Sequence, residues 1–245
     1  MSRQLALNLR LKDGSSFSNF LPGPNREALE RLRAAVVAAT ARDEKAEDKI
    51  LFLWGAEGCG KSHLLQAACR LAQELGAAPL YVPLAEVAAL SPSLLEDAEQ
   101  SALVCLDDVE RIAGQPEWEA ALFSLTERRR ATGGLQICAA NAPPARLGLR
   151  LPDLSSRLAW GAVYALQALN DAEKLEAVRL RARNRGLDMP EDVVQYILSR
   201  YPRDMHSLFD LLERIDRASL SQQRRVTIPF LRQLEDVSSN ESGAA

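Results

Sequence analysis

Histidine and paired cysteines are scarce in this sequence, and their scarcity argues against two kinds of site. The chain has two histidines, His63 and His206, and its four cysteines stand apart with no C-x-x-C pair: Cys59, Cys69, Cys105 and Cys138. Zinc sites need clustered cysteine and histidine ligands, and disulfide frameworks belong mainly to small secreted domains. We therefore expect neither, and interpret the cysteines as ordinary buried or lining thiols.

Long apolar runs and an excess of basic charge are also missing. No stretch approaches the roughly 20 apolar residues that a membrane-spanning helix needs, and the first residues lack the apolar core of a signal peptide. The 245-residue chain has a formal net charge of -3 and a pI of about 5.6, whereas proteins that grip nucleic acid by its phosphates are usually basic. The sequence thus predicts a soluble, cytoplasmic protein that has no membrane partner and does not bind DNA directly.

Strand and helix patterns alternate through the first two thirds of the chain. A predicted helix from Arg26 to Ala41 precedes the apolar run ILFLW, which is typical of a buried strand. Further apolar runs follow near Leu80 and over residues 103–106, 135–140 and 162–166. Strands that alternate with helices predict an α/β domain with a mainly parallel, five-stranded sheet.

Helical signals alone remain beyond residue 169 and predict a small all-α domain. Its helices should start at Asn170-Asp171, Pro190-Glu191 and Pro202-Arg203. Two basic stretches, 128–130 and 179–185, lie where predicted helices end, and helix-terminal charge and solvated faces explain them. We divide the chain into an N-terminal arm (1–25), the α/β domain (26–168), the helical domain (169–237) and a polar tail (238–245) predicted to be disordered.

A phosphate-binding motif lies between the first predicted strand and the next helix. Residues 55–62 read GAEGCGKS and match G-x-x-x-x-G-K-[ST] in full. Its glycines let backbone N–H groups turn toward phosphate oxygens, its lysine adds positive charge, and its serine is placed to ligate Mg²⁺. The predicted contacts are Gly55, Gly58, Cys59, Gly60, Lys61, Ser62 and His63. The motif predicts a site for ADP or ATP with Mg²⁺, the alternative being a glycine-rich turn without a ligand.

Two aspartates follow a buried strand further along, in LVCLDD. We predict that Asp107 holds Mg²⁺ through water, and Asp108 stands where strong ATPases usually carry a water-activating glutamate. A strand that ends in two aspartates is also a common turn or helix-capping pattern. The upstream phosphate motif favours the metal and catalytic interpretation.

With both nucleotide motifs in place, nearly the whole chain resembles the Hda family, the regulatory homologues of the AAA+ domain of the bacterial replication initiator DnaA. The strings that carry the resemblance are QLALNL, SFSNFLPGPN, LWGAEGCGKSHLLQAAC, LVCLDDVERIAG, LPDLSSRLAWGAVYAL, LRARNRGLDMPEDV and DRASLSQQRRVTIPF. The resemblance implies a P-loop AAA+ fold for the α/β domain and a lid for the helical domain.

The resemblance also implies roles for single residues. The adenine pocket should be lined by Phe20, Leu21, Pro22 and Asn25. Asn141 matches the sensor 1 position, where a short polar side chain reaches the γ-phosphate or the attacking water. Arg157 matches the arginine-finger position, which in this superfamily points into the nucleotide site of a neighbouring subunit. Without the resemblance, these residues would be interpreted as a packed loop, a turn residue before Pro143 and a solvated arginine.

One lid position departs from the family pattern. His206 stands where DnaA-like proteins usually carry the sensor 2 arginine, and Arg203, about one helical turn earlier, is the alternative cation. A neutral imidazole grips a γ-phosphate more weakly than a guanidinium does. We therefore expect a protein that holds ADP or hydrolyses ATP slowly, and its own ATPase activity stays open.

The N-terminal arm carries a short apolar peptide, QLALNL. It resembles the peptide by which bacterial proteins dock on the replicative sliding clamp, the β subunit of DNA polymerase III. The predicted clamp contacts are Gln4, Leu5, Leu7 and Leu9. Six residues often match such a pattern by chance, but an apolar peptide on a charged, unpacked arm favours a partner.

Together these features favour a clamp-tethered regulator that makes DnaA hydrolyse its bound ATP. The inactive, ADP-bound initiator would then be unable to over-initiate replication. We expect DNA contact only through the clamp, because the chain leaves no room after Leu234 for the DNA-binding domain that follows the DnaA lid. The alternatives are a self-contained AAA+ ATPase acting on DNA, such as a helicase loader or truncated initiator, and a metabolic P-loop enzyme such as a small-molecule kinase. The resting nucleotide, and a homodimer that masks the clamp peptide, stay open.

Overall fold

The chain divides into two compact units, Met1–Ala168 and Leu169–Ala245. The computed structural model describes residues 14–42, 49–222 and 226–234. The predicted clamp peptide and the predicted disordered tail both lie outside these described residues. Within them, no helix has the length and apolar character needed to cross a membrane.

Five parallel strands form the sheet of the first unit, in the order β2-β3-β4-β1-β5. Their bounds are Ile50–Trp54 (β1), Pro79–Pro83 (β2), Leu103–Asp107 (β3), Leu135–Ala140 (β4) and Ala162–Ala165 (β5). This architecture confirms the predicted α/β class with a five-stranded parallel sheet. Because parallel strands end at a common edge, the phosphate motif after β1, the aspartates of β3 and Asn141 after β4 emerge on the same side.

Helices pack on both faces of this sheet. Their bounds are Arg26–Thr40 (α1), Lys61–Glu74 (α2), Leu84–Val87 (α3), Pro116–Thr132 (α4) and Pro152–Leu158 (α5). Successive residues of β1 point to opposite faces. Leu51 and Leu53 therefore join a core with α1 and α2, while Phe52 joins a second core with α4 and α5.

The basic stretch at the end of α4 differs from the predicted solvated face. Arg129 is only 1% exposed. Its guanidinium donates hydrogen bonds to four backbone carbonyls, those of Ala98, Ser101, Ala102 and Leu135. A buried cation is tolerated where such acceptors surround it. Arg129 therefore ties α4 to the loop before β3 and to the first residue of β4.

The second unit is helical, with α6 (Asp171–Asn184), α7 (Glu191–Arg200), α8 (Met205–Gln222) and a further helical stretch over 228–234. α6 begins where predicted, because Asn170 and Glu173 form a reciprocal capping box. α8 starts later than the predicted Pro202-Arg203. The Asp204 carboxylate accepts a hydrogen bond from the Ser207 N–H at 2.8 Å, which makes Asp204 the residue that caps this helix.

Candidate functional site

The phosphate loop between β1 and α2 has a backbone that requires glycine. Gly58 and Gly60 have φ values of +77° and +98°, a region that side chains of L residues rarely adopt. A Cβ on Gly60 would also lie 2.6 Å from the Phe20 ring. α2 begins directly after the loop, so the unpaired N–H groups of its first turn lie at the loop.

A buried cation lies inside this loop. The Lys61 ammonium donates to the carbonyl oxygens of Gly55 at 2.8 Å and Ala56 at 3.0 Å. Cys59 packs into the core below, and burial raises the pKa of its thiol, so it stays protonated at neutral pH. Its sulfur lies 4.0 Å from the Lys61 ammonium. Ser62, the second residue of α2, is exposed.

The segment that precedes α1 contacts the start of α2 and the residues that follow β5. The Phe20 ring packs against the His63 ring with 5.5 Å between centroids, and His63 Nε2 lies 3.0 Å from the Ser16 carbonyl oxygen. The Asn25 amide donates to the carbonyl of Gln167 at 2.9 Å and accepts from its N–H at 2.8 Å. Both polar atoms of the Asn25 side chain are therefore hydrogen-bonded within the protein. The apolar side chains of this segment are Phe20 and the half-buried Leu21 and Pro22.

The two aspartates at the end of β3 differ in environment. Asp107 is 1% exposed, and its carboxylate accepts hydrogen bonds from the Tyr81 hydroxyl at 2.8 Å and the Asp108 N–H at 3.1 Å. Asp108 has a φ of +56°. Burial, helped by the negative charges of Asp107 and Glu110, raises the pKa of Asp108 to about 6. Asp108 is therefore a better proton acceptor than an ordinary aspartate, as water activation requires.

A hydrogen-bonded chain of polar groups leads away from Asp107. The Tyr81 hydroxyl accepts from Gln66 Nε2 at 3.4 Å, and Gln66 Oε1 accepts from the Ser15 hydroxyl at 2.9 Å. These three residues were missed in the sequence, because they come from β2, α2 and the segment before α1. The signal that could have found them is Gln66, a polar residue amid the buried residues of α2.

Replacing Tyr81 with phenylalanine should destabilise the first unit. Asp107 would lose its strongest neutral donor while staying buried, which costs about 1–3 kcal/mol of unfolding free energy. Urea denaturation followed by tryptophan fluorescence reports this unit selectively, because Trp54, Trp118 and Trp160 all lie in it. As the control, Tyr196→Phe should change nothing, since no hydroxyl hydrogen bond of Tyr196 occurs among the described residues. Equal stability of Tyr81→Phe and the unaltered chain would contradict this role.

Asn141 follows β4 and is exposed. Its N–H donates to Glu110 Oε2 at 3.2 Å. Glu110 lies on the 3-10 turn Val109–Ile112, directly after Asp108. Glu110, which was not predicted, thus joins the predicted sensor position to the acidic strand end.

Arg157 lies on α5 and contacts α4. Its Nε is 2.7 Å from Glu127 Oε1, and its guanidinium carbon lies 3.8 Å from the centroid of a Trp160 ring. Trp160 is 48% exposed, one of the larger apolar side chains on the surface. Glu127 therefore contacts one edge of the Arg157 guanidinium, and Trp160 contacts one of its faces.

The two predicted lid cations differ in their contacts within the second unit. Arg203 pairs with Asp171 at 2.6 Å and donates to the Leu198 carbonyl at 3.1 Å. Hydrogen bonding to Arg203 lowers the pKa of Asp171. His206 is largely exposed, with Nε2 3.3 Å from Asp210 Oδ2. Of the two, Arg203 makes the larger number of contacts within the second unit and the shorter ones.

Comparison with known proteins agrees with this arrangement. Residues 171–234 match the family model "Hda, lid domain". The fold is similar to the replication initiator DnaA bound to AMPPCP and single-stranded DNA, with a TM-score of 0.67, 20% identity, and coverage of 88% of this chain and 70% of that one. AMPPCP-bound DnaA from Aquifex aeolicus gives a TM-score of 0.66, 22% identity, and coverage of 83% and 65%. Domain III of Thermotoga maritima DnaA gives a TM-score of 0.70, 20% identity, and coverage of 88% and 92%.

The five-stranded parallel sheet with the phosphate loop at its edge, followed by a helical unit, resembles the fold of P-loop AAA+ domains. At 20 to 22% identity, the DnaA structures establish the shared fold. Residues 171–234 of the second unit match the Hda lid domain, and the fold of the chain is similar to that of domain III of Thermotoga maritima DnaA.

Proposed function

We propose that this protein is a clamp-tethered regulator that stimulates hydrolysis of the ATP bound to DnaA. The product is ADP-bound, inactive DnaA, so replication is not over-initiated. The observation that carries the proposal is the Hda lid domain, residues 171–234, behind a DnaA-type AAA+ unit. DnaA and the sliding clamp are the proposed partners, and the clamp supplies the link to DNA.

The phosphate loop supports binding of ADP or ATP by this chain. Gly58 and Gly60 give the loop a backbone that only glycine readily adopts, Lys61 places an ammonium in the loop, and the DnaA proteins of the same fold were solved with AMPPCP. Among the described residues no cluster of three or more His, Cys, Asp or Glu side chains could hold a metal alone. Mg²⁺ beside a nucleotide takes most ligands from phosphate and water, so Ser62 and Asp107 suffice on the protein side. When bound, Mg²⁺ would neutralise phosphate charge.

The chain's contribution to hydrolysis falls on Arg157, acting on the nucleotide of DnaA. Its guanidinium would enter the neighbouring site and stabilise charge on the γ-phosphoryl oxygens, with no proton transfer by this chain. Hydrolysis of the chain's own nucleotide should be slow. Asp108 and Asn141 are present for water activation, but the sensor 2 position holds His206, and Arg203 is paired with Asp171.

A reconstituted hydrolysis assay tests the proposal. DnaA loaded with labelled ATP is mixed with this protein, clamp and DNA, and each component is then omitted in turn. Fast hydrolysis should require all of them. Hydrolysis by this protein and DNA alone, without DnaA or clamp, would instead support the self-contained ATPase that acts on DNA.

Loss of the N-terminal peptide should abolish clamp binding and nothing else. We expect Gln4→Ala combined with Leu5→Ala to remove retention on immobilised clamp, because the peptide supplies one hydrogen-bonding side chain and an apolar anchor. Nucleotide affinity and the melting transition should not change. Ser2→Ala in the same arm is the control and should bind normally. Clamp retention after deletion of residues 1–11 would place the anchor elsewhere.

A further inference from the structure

The finger cluster, comprising Glu127, Arg130, Arg157 and Trp160, joins α4 to α5 and to the residues just after it. Arg157 Nε and Glu127 Oε1 lie 2.7 Å apart and form an ion pair. Both atoms are shielded from solvent, although the two side chains as a whole are 27% and 32% exposed. The carboxylate therefore holds the guanidinium by its inner edge, where water competes least.

Trp160 fixes the plane of the same guanidinium. The Arg157 carbon lies 3.8 Å from the centroid of the Trp160 ring, within the range of a cation–π contact. Arg130 lies over Trp160 at 4.7 Å and reaches Glu127 at 4.0 Å. A second cation thus keeps the Glu127 charge balanced whichever contacts Arg157 makes.

The terminal amines of Arg157 are left over by these contacts. Across residues 14–42, 49–222 and 226–234, neither Nη atom of Arg157 donates a hydrogen bond, and the closest ion-pair contact is made through Nε. These two amines form the planar fork that contacts two phosphate oxygens at once. The finger cluster thus contacts Nε and one face of the Arg157 guanidinium, and a phosphate would use the two terminal amines.

We propose that Glu127 and Trp160 are positioning residues that pre-organise Arg157 for the nucleotide of DnaA. This inference rests on the proposed function. An unrestrained arginine loses considerable rotamer freedom when it enters a site, and misplacement of a reacting group by about 1 Å can cost about 100-fold in rate. Because Glu127 and Trp160 already hold the edge and the face of the Arg157 guanidinium, most of this entropic and positional cost is removed. Only the two terminal amines then have to contact the phosphate.

The test measures stimulated hydrolysis against the concentration of this protein, with the clamp and DnaA assay described above. Glu127→Gln removes the charge and keeps the shape. It should lower the maximal rate about 10- to 100-fold while leaving the half-saturating concentration unchanged, since positioning acts on the reaction and not on docking. Glu127→Asp, which keeps the charge, should retain more of the rate. The matched control is Glu99→Gln, which breaks the 3.1 Å ion pair of Glu99 with Arg128 on α4 and should not change the rate.

A double-mutant cycle separates positioning from a merely structural role. If Glu127 acts through Arg157, Glu127→Gln should cause no further loss in an Arg157→Ala background. Trp160→Leu, at an exposed site where folding is not at risk, should also lower the maximal rate and should also lose its effect in that background. Additive losses, or a changed half-saturating concentration with an unchanged maximal rate, would overturn the inference. So would a wild-type rate for Glu127→Gln.

Failure of the proposed function and failure of the positioning inference give different results in these assays. If the unaltered protein does not stimulate hydrolysis by DnaA, the proposed function fails. If it stimulates and the Glu127→Gln and Trp160→Leu variants do so equally well, the positioning inference alone fails.

Discussion

Arg157→Ala should abolish stimulation of DnaA while the protein folds, keeps its own nucleotide and still binds the clamp. In related P-loop systems an arginine finger contributes about 10³- to 10⁵-fold in rate, because it stabilises charge spread over the γ-phosphoryl oxygens. Among the described residues, the ion-pair and cation–π partners of Arg157 are Glu127, Trp160 and, more distantly, Phe123. The Glu127 side chain is 32% exposed and also lies 4.0 Å from Arg130, so it keeps a cationic partner without Arg157, and the loss should be confined to the reaction in trans.

Arg157→Lys is the informative companion. An ammonium keeps the charge but lacks the planar fork, so it should recover little of the rate. Single-turnover release of labelled phosphate from DnaA measures both variants. Near-normal stimulation by the alanine variant would contradict the in-trans mechanism and would move the self-contained ATPase to first place.

Lys61→Ala should reduce the affinity of this chain for adenine nucleotide by at least about 100-fold. The ammonium lies inside the phosphate loop, 2.8 Å from the Gly55 carbonyl. A charge-assisted hydrogen bond to phosphate contributes about 1.5–3 kcal/mol, and Lys61 would make more than one. Calorimetry with Mg²⁺ and ADP measures the change.

Lys49→Ala provides the matched control for this substitution. Lys49 lies in the same unit, and its ammonium donates to the Gly133 carbonyl at 3.2 Å. The control should bind nucleotide normally. Unchanged affinity in a folded Lys61→Ala variant would overturn the assignment of the phosphate site.

The parts of the site that follow strand ends could be predicted from sequence. A buried apolar run fixes where a parallel strand ends, and the residues after it must emerge at the common edge. The predicted strands end just before the phosphate loop, Asp107 and Asn141, and the parallel sheet brings these strand ends to one side. The start of α6 at Asn170-Asp171 could also be predicted, because asparagine is a favoured N-cap residue, and the structure adds Glu173 as its partner in a capping box.

The contacts that tune the site could not be predicted, because they join residues distant in sequence. Tyr81 reaches Asp107 only once β2 pairs with β3, and Arg157 meets Glu127 only once α5 packs on α4. A basic run gave no sign that Arg129 would be buried, since its burial depends on carbonyls contributed by the loop before β3 and by the first residue of β4. The roles of Asn141, Arg157 and the clamp peptide came from family resemblance, and they stay predictions.

The most direct test of the central claim asks whose ATP is hydrolysed. DnaA is loaded with ATP labelled on its γ-phosphate and this protein with unlabelled nucleotide, or the reverse, and the two are mixed with clamp and DNA in the presence of excess unlabelled ATP. Release of labelled phosphate is followed through a single turnover. If hydrolysis occurs in trans, the label leaves quickly only when DnaA carries it, and Arg157→Ala stops that release. Fast release from label carried by this protein, with the DnaA-bound label left intact, would contradict the proposal.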